Sequence, residues 1–319
     1  MRHKKPPVKQ YLKLLEILGK AGNESMGIPI TKGKVETAKK VVIYGPEGIG
    51  KSTLASCFPD PVFIDTEGST KELDVARYPT PSAWADIINC AKDCAQNAPC
   101  KTIVIDTADW AEMLCIKCTC AKCNVNGIED VGYGKGYVYL SENFNELLKA
   151  CDKCIDRGIN VVFTAHAFMR KFEQPDELGA YDRWEMKLTK KDAPMLKEWA
   201  DMVLFCNYKT NVITDQTTKS KKATGGSRVM YAAHHPCWDA KNRYGLPDSM
   251  PMSFDEIAHL FTNQPEPDYR VQLRTFIKDN NLNMQEIVSA CALGNSSTNA
   301  DFKAALEYAK TLTGGKENG

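Results

Sequence analysis

Residues 45–52 read Gly45-Pro46-Glu47-Gly48-Ile49-Gly50-Lys51-Ser52, with Thr53 next in line. They match the phosphate-binding pattern G-x-x-x-x-G-K-[ST] at every fixed position. Glycines at these places let successive backbone N–H groups wrap a phosphate chain at the start of a helix. The lysine of such a loop reaches the outer phosphates and the hydroxyl residue ligates Mg²⁺, so Lys51 and Ser52 are expected in those roles. The apolar run "VVIY" precedes the loop and the helix-forming "TLAS" follows it, which is the strand–loop–helix context the motif needs. ATP with Mg²⁺ is the expected ligand.

Two further stretches place carboxylates where apolar runs end. In "KTIVIDTADW", Asp106 stands at the end of a buried-type strand, where it can support Mg²⁺ through water or simply cap the next helix. In "VFIDTEGST" the acids are Asp65 and Glu67. Were this strand the immediate neighbour of the loop strand, the Glu67 carboxylate would face the γ-phosphate. It could then orient and deprotonate an attacking water.

These residues need a scaffold, and the hydrophobic pattern supplies one. Short apolar strands are expected at 41–44, 61–65, 102–106, 160–165 and 201–207, with helical stretches at 52–57, 82–95, 108–122, 141–157 and 192–200 between most of them. That alternation implies an α/β fold with a mostly parallel sheet covered on both faces. "VLFCNYKTNVI" and "SRVMYAA" flank a basic Gly-Gly turn and read as an antiparallel hairpin. Near the start, Tyr11, Leu14, Leu15 and Leu18 lie at helical spacing among lysines, an amphipathic helix able to dock on another subunit or fold back on its own. Three domains follow: a basic N-terminal arm (1–36), an ATPase core (37–262) and a small helical C-terminal region (263–319) beginning in the proline-marked "TNQPEPDY".

The chain of 319 residues has a formal net charge of +1, so no global basic field points to nucleic acid. Charge is uneven, however: residues 1–40 hold ten Lys/Arg against three Asp/Glu, and "TTKSKKATGGSR" carries four basic residues and no acid. Either patch could contact phosphates or be a solvated surface. No apolar run reaches the ~18–20 residues of a membrane span, and no signal-type core follows the basic N-terminus, so a cytoplasmic location with no membrane partner is expected. The 13 cysteines are an odd number in a nucleotide-binding chain, which argues against a disulfide framework. Cys115, Cys118, Cys120 and Cys123, with Cys151 and Cys154 further on, have zinc-like spacings. On a helix the first four do not share a face, so free thiols are favoured over structural zinc.

Ile64-Asp65-Thr66-Glu67 resembles the strand end that carries the catalytic glutamate in RecA-like recombinase ATPases. Together with the phosphate loop, "YGKGYVYL", "VVFTAHAFMRKFEQPDELGAYDRWEMKL", "KEWADMVLF" and "AKNRYGLP", it makes residues 28–262 resemble the phage-encoded RecA-core single-strand annealing ATPases of the Sak group. The resemblance implies a RecA-like P-loop core and further roles. His166 in "TAHAF" falls where these proteins carry a γ-phosphate sensor, commonly glutamine; a histidine satisfied at a strand end would look the same. Lys241 and Arg243 in "AKNRYG" resemble a basic pair inserted into a neighbouring subunit's site, or else a solvated turn. "GYGKGYVY" (132–139), with Lys135 and Tyr137, and 168–191, with Arg170, Lys171, Phe172, Arg183 and Trp184, fall at the positions of the DNA-binding loops. Basic residues among aromatics suit single-strand binding, although rings of this kind also pack into cores.

The implied function is an ATP-dependent single-stranded-DNA-binding annealing or recombination protein of a phage-infected host. Its implied partners are single-stranded DNA, copies of itself in a filament or ring, and a single-strand binding protein. The rival readings are a replicative helicase or helicase loader, a DNA-binding module that uses ATP only as a conformational clamp, and a small-molecule kinase.

Overall fold

A computed structural model of the chain describes residues 32–33, 35–97, 100–173, 179–214, 221–261, 269–294 and 296–314. The amphipathic helix expected around Tyr11–Leu18 and the linker at 262–268 lie outside these. The elements of the larger compact unit, residues 36–265, are in chain order β1 (Lys40–Gly45), α1 (Lys51–Ser56), β2 (Pro61–Asp65), β3 (Ala76–Arg77), α2 (Trp84–Asn97), β4 (Thr102–Asp106), α3 (Ala108–Cys123), α4 (Lys135–Asp156), β5 (Asn160–Glu173), β6 (Ala180–Met186), α5 (Asp192–Trp199), β7 (Met202–Thr214), β8 (Lys221–Tyr231), β9 (Lys241–Asn242) and β10 (Ser249–Pro251). A second compact unit holds α6 (Tyr269–Asp279), α7 (Met284–Ala290) and α8 (Asn299–Gly314). Its helices close on a small core of their own, with Leu273, Ile277, Ile287, Phe302 and Leu306 buried.

The strands order as β10-β8-β7-β1-β5-β4-β2-β3, and the run from β7 to β3 is parallel. Each central strand is apolar throughout because both of its faces are covered. Val42 and Tyr44 of β1, Ile103 and Ile105 of β4, and Val161 and Phe163 of β5 pack towards α2, α3, α4 and α5. Their neighbours Val41, Ile43, Val104 and Val162 pack on the opposite face with Leu54 of α1, Phe58 and Phe261. The side-chain period of two thus splits the core into a layer on each side of the sheet. The result is the expected mostly parallel sheet flanked by helices, with a P-loop between its first strand and first helix and a helical C-terminal region.

Four local expectations change. Strand β2 is not the neighbour of β1, because β5 and β4 lie between them. Residues 168–173 and 180–186 are strand rather than loop: β5 continues to Glu173 and pairs antiparallel with β6, from Ala167 opposite Met186 to Glu173 opposite Ala180. Helix α4 begins at Lys135, six residues before the expected start, so Lys135 and Tyr137 sit in its first turn behind the short Gly132–Gly134 turn. Gly225 and Gly226 belong to β8 rather than to a turn. The ladder between β7 and β8 shifts register at Lys209/Thr210, and Gly226, at φ 149°, is the unpaired residue there.

One polar cluster is buried between the helices. Glu112 of α3 accepts hydrogen bonds from the backbone N–H of Thr189 (2.9 and 3.2 Å), and Asp192, fully buried, accepts one from Ser141. Asp192 Oδ2 has no hydrogen-bond partner among the described residues. A proton on Glu112 satisfies it, and burial beside Asp192 accordingly pushes the Glu112 carboxyl up to about 8. A carboxyl raised on folding binds its proton more tightly in the native state, so stability falls as pH rises from its ordinary range towards 8. In Glu112→Gln the amide can donate to Asp192 and still accept from Thr189. Denaturant titrations should therefore show wild type losing stability between pH 5 and about 8, with a flatter profile for the variant and the variant more stable at the alkaline end.

Packing around the loop gives a second expectation. A Cβ built on Gly45 would lie 2.2 Å from the Cys206 carbonyl oxygen on neighbouring β7. Gly45→Ala must push β1 and β7 apart, at a cost of about 1–3 kcal/mol for overpacking. This is measurable as a lowered unfolding midpoint of the larger unit.

Candidate active site

The parallel sheet delivers its strand ends to one pole. Gly45 at the end of β1 stands in register with His166 of β5, and Asp65 of β2 with Asp106 of β4. The loop after β1 turns through Gly48 (φ 70°) and Gly50 (φ 102°), a backbone region that disfavours other residues. Gly50 then caps α1, whose first residues are Lys51 and Ser52. Lys51 is buried, and its ammonium donates to the carbonyls of Gly45 (3.2 Å) and Pro46 (3.1 Å). Burial lowers its pKa, while Asp109 and Asp106 nearby act to keep it charged.

Asp106 is wholly buried. Its Oδ1 accepts a hydrogen bond from Thr164 of β5, and its Oδ2 has no hydrogen-bond partner among the described residues. Burial raises this carboxyl; the hydroxyls of Thr164 and Ser52 and the charge of Lys51 act against that rise. A buried carboxylate oxygen lacking a partner, next to the Ser52 hydroxyl, forms an all-oxygen donor set suited to a hard divalent cation.

The two acids of "VFIDTEGST" have separate fates. Asp65 is spent on its own loop: its carboxylate accepts from the backbone N–H of Gly68 (2.7 Å), Ser69 (3.2 Å) and Thr70 (3.0 Å) and from the Thr70 hydroxyl (2.6 Å). These bonds outweigh the effect of burial and hold its pKa low. Glu67 stays exposed, so it is open to solvent at the pole. Partial burial raises its pKa, with His166, Asp106, Asp109 and Lys51 all near enough to act on it. It reaches these surroundings although two strands separate its own from β1, with Thr66 stitched to Thr107 by two bonds of 2.9 Å.

His166 is fixed by a residue that sequence reasoning missed. Asp109, in the first turn of α3, accepts from the His166 backbone N–H (3.0 Å) and lies 2.9 Å from its Nδ1. The signal was present in "DTADW": a second carboxylate three residues after Asp106 shares its side of the strand–helix junction. Arg228 of β8 was also missed; its guanidinium donates to the Ile49 carbonyl (3.3 Å) and closes over the loop.

The remaining candidates lie elsewhere. Lys241 donates to the carbonyls of Lys197 (3.1 Å), Glu198 (2.8 Å) and Ala200 (2.5 Å), tying down the end of α5, and Arg243 pairs with Asp201 at 2.8 Å. Along the β5–β6 hairpin runs an open cleft of about 670 Å³ lined by Arg170, Lys171, Phe172 and Arg183. Arg170 pairs loosely with Glu185 (3.7 Å), while Arg183 is held by Asp239 and stacks over Phe172. Trp184 does not line the cleft; its ring packs 6.0 Å from that of Phe205. Neither Lys135 nor Tyr137 lines it, and Tyr137 donates to Glu129 at 3.1 Å. Of the α3 cysteines, Cys115 and Cys120 are buried and Cys118 and Cys123 half-buried; among the described residues no group of His, Cys, Asp or Glu is placed to share a metal ion. No helix of the described residues is long and apolar enough to cross a membrane.

Among solved structures, the chain is similar to the KaiC-like protein PH0186 from the hyperthermophilic archaeon Pyrococcus horikoshii OT3. The two are 11% identical, the match covers 60% of this chain and 84% of that one, and the TM-score is 0.33. No curated protein matches the sequence. A family model described as an AAA domain matches residues 37–244, from three residues before β1 through the "AKNRY" turn. That span takes in the P-loop, Glu67, Asp106, Asp109 and His166, so the chain belongs to the AAA domain family and is a nucleotide-binding P-loop ATPase.

Proposed function

We propose that this ATPase works on single-stranded DNA, binding ATP with Mg²⁺, assembling as a homo-oligomer and promoting annealing or strand pairing in phage recombination. The observation that carries the reading is the course of β5. One uninterrupted strand runs from Thr164 and His166, at the phosphate pole, into the hairpin whose cleft presents Arg170, Lys171 and Phe172. Cations for the backbone and a ring face for bases are what sequence-tolerant single-strand binding uses. A strand shared by both sites is a direct way for nucleotide state to reach DNA. The resemblance to single-strand annealing ATPases supports the same reading.

In this reading Lys51 leaves its two loop carbonyls for the outer phosphates, with the backbone N–H groups of residues 47–53 around the chain of phosphates. Ser52 and Asp106 hold Mg²⁺, which when bound neutralises phosphate charge. Glu67 orients the attacking water and takes its proton, a role its raised pKa favours. His166 contacts the terminal phosphate. Arg243, with more than half of its side chain exposed, is better placed than Lys241 to reach a neighbouring subunit's site.

Steady-state ATP hydrolysis, measured with and without single-stranded DNA over a range of protein concentrations, tests the reading. Stimulation by DNA and a more than linear rise with protein are expected; hydrolysis indifferent to both would remove the nucleic-acid role. Glu67→Gln should bind ATP as wild type does while hydrolysing it at least about 10²-fold more slowly. Replacing Arg170 and Lys171 together by Ala should weaken DNA binding across sequences and shallow its salt dependence by roughly one to two phosphate contacts.

A further inference from the structure

Both oxygens of the Asp109 carboxylate engage His166. Oδ1 takes the His166 backbone N–H at 3.0 Å and Oδ2 faces the ring Nδ1 at 2.9 Å, with Asp109 and His166 both buried. Burial alone would raise the Asp109 carboxyl, but the hydrogen bonds from the His166 ring and backbone outweigh it and hold the group ionised. An ionised carboxylate only accepts hydrogen bonds, so Nδ1 must be the ring nitrogen that carries a proton. Nε2 makes no hydrogen bond among the described residues, and the ring stands near enough to Glu67 to act on it. Two residues earlier on the same strand face, Thr164 is tied to Asp106. The strand end is therefore gripped at both positions that point to this side.

We infer that Asp109 is a positioning residue for ATP hydrolysis: it fixes His166 in the Nδ1-protonated form, so that Nε2 is the ring atom offered to the phosphate end of the nucleotide. This rests on His166 being the phosphate contact in the proposed function. The first turn of α3 thereby decides which face of the imidazole meets the reaction, without touching the nucleotide itself.

Asp109→Asn makes the test sharp. The new amide can still accept from the His166 backbone N–H, but its NH₂ faces Nδ1 and forces the ring proton to Nε2. Shape is kept and the proton's place reversed. Expected are a kcat lower by about 10²-fold, a KM for ATP within about threefold, and an unchanged Tm. In a His166→Ala background the same substitution should cost nothing more, since its partner is gone. Multiplicative losses in the double variant, or a loss in KM and Tm with kcat intact, would overturn the inference. A normal kcat for Asp109→Asn beside an impaired His166→Ala would overturn it while leaving the His166 assignment standing. A normal kcat for His166→Ala would remove that assignment, and the inference with it. The wild-type protein gives a check that needs no variant: ¹⁵N shifts should show the neutral His166 ring carrying its proton on Nδ1, and a proton held only on Nε2 would rule the positioning role out.

Discussion

Burial of the central strands on both faces is the constraint from which the site follows. A strand with apolar side chains on either side cannot slip by one residue without exchanging the two halves of the core, so register along β1, β5, β4 and β2 is held tightly. Parallel pairing then brings β1, β4 and β2 to an end at the same pole, where β5 runs on into the hairpin. Gly45 meets His166 and Asp65 meets Asp106 as consequences of register, not of any contact between those side chains. What the polar residues add is local. Asp65 closes its own loop, Thr66 stitches the loop after β2 to that after β4, and Thr164 holds one oxygen of Asp106. The bonds of Thr66, Thr164 and Asp109 join different strands or the segments that follow them, so that part of the cluster is only as ordered as the sheet beneath it.

Much of this was legible in the sequence because it is local. The phosphate loop, the strands around it and the helices between them announce themselves through spacing and period, and Asp106 is recognisable as the acid that ends an apolar run. Strand order is not local. Nothing in residues 61–67 says that two strands separate them from β1, and the expectation for Glu67 was framed on the wrong neighbour. Its surroundings nevertheless include Lys51, Asp106 and His166, with Thr66 beside it tied to Thr107 after β4.

The misses have a common cause. Asp109 was passed over because its partner is 57 residues away, and a buried Asp in a helix's first turn reads as ordinary capping until β5 is placed beside it. The family resemblance sets 168–191 at the position of a DNA-binding loop. Neither arm there shows a clean period of two, so only the pairing of β5 with β6 reveals the strands. Lys241 shows the opposite error. A basic residue in a turn looked free, yet three carbonyls at the end of α5 claim its ammonium.

The continuity of β5 has a consequence for how such a chain can change over time. From Asn160 to Glu173 the strand serves first as a filling for the sheet and then as one arm of a hairpin. A single residue gained or lost between His166 and Glu173 would turn every later side chain to the opposite face. Length variation along that arm is therefore open only in steps of two, while the segment joining it to β6 is under no such rule. The hairpin can grow longer or shorter at its far end, and its sequence can drift, but the parity of the distance from His166 to Arg170 must be inherited unchanged.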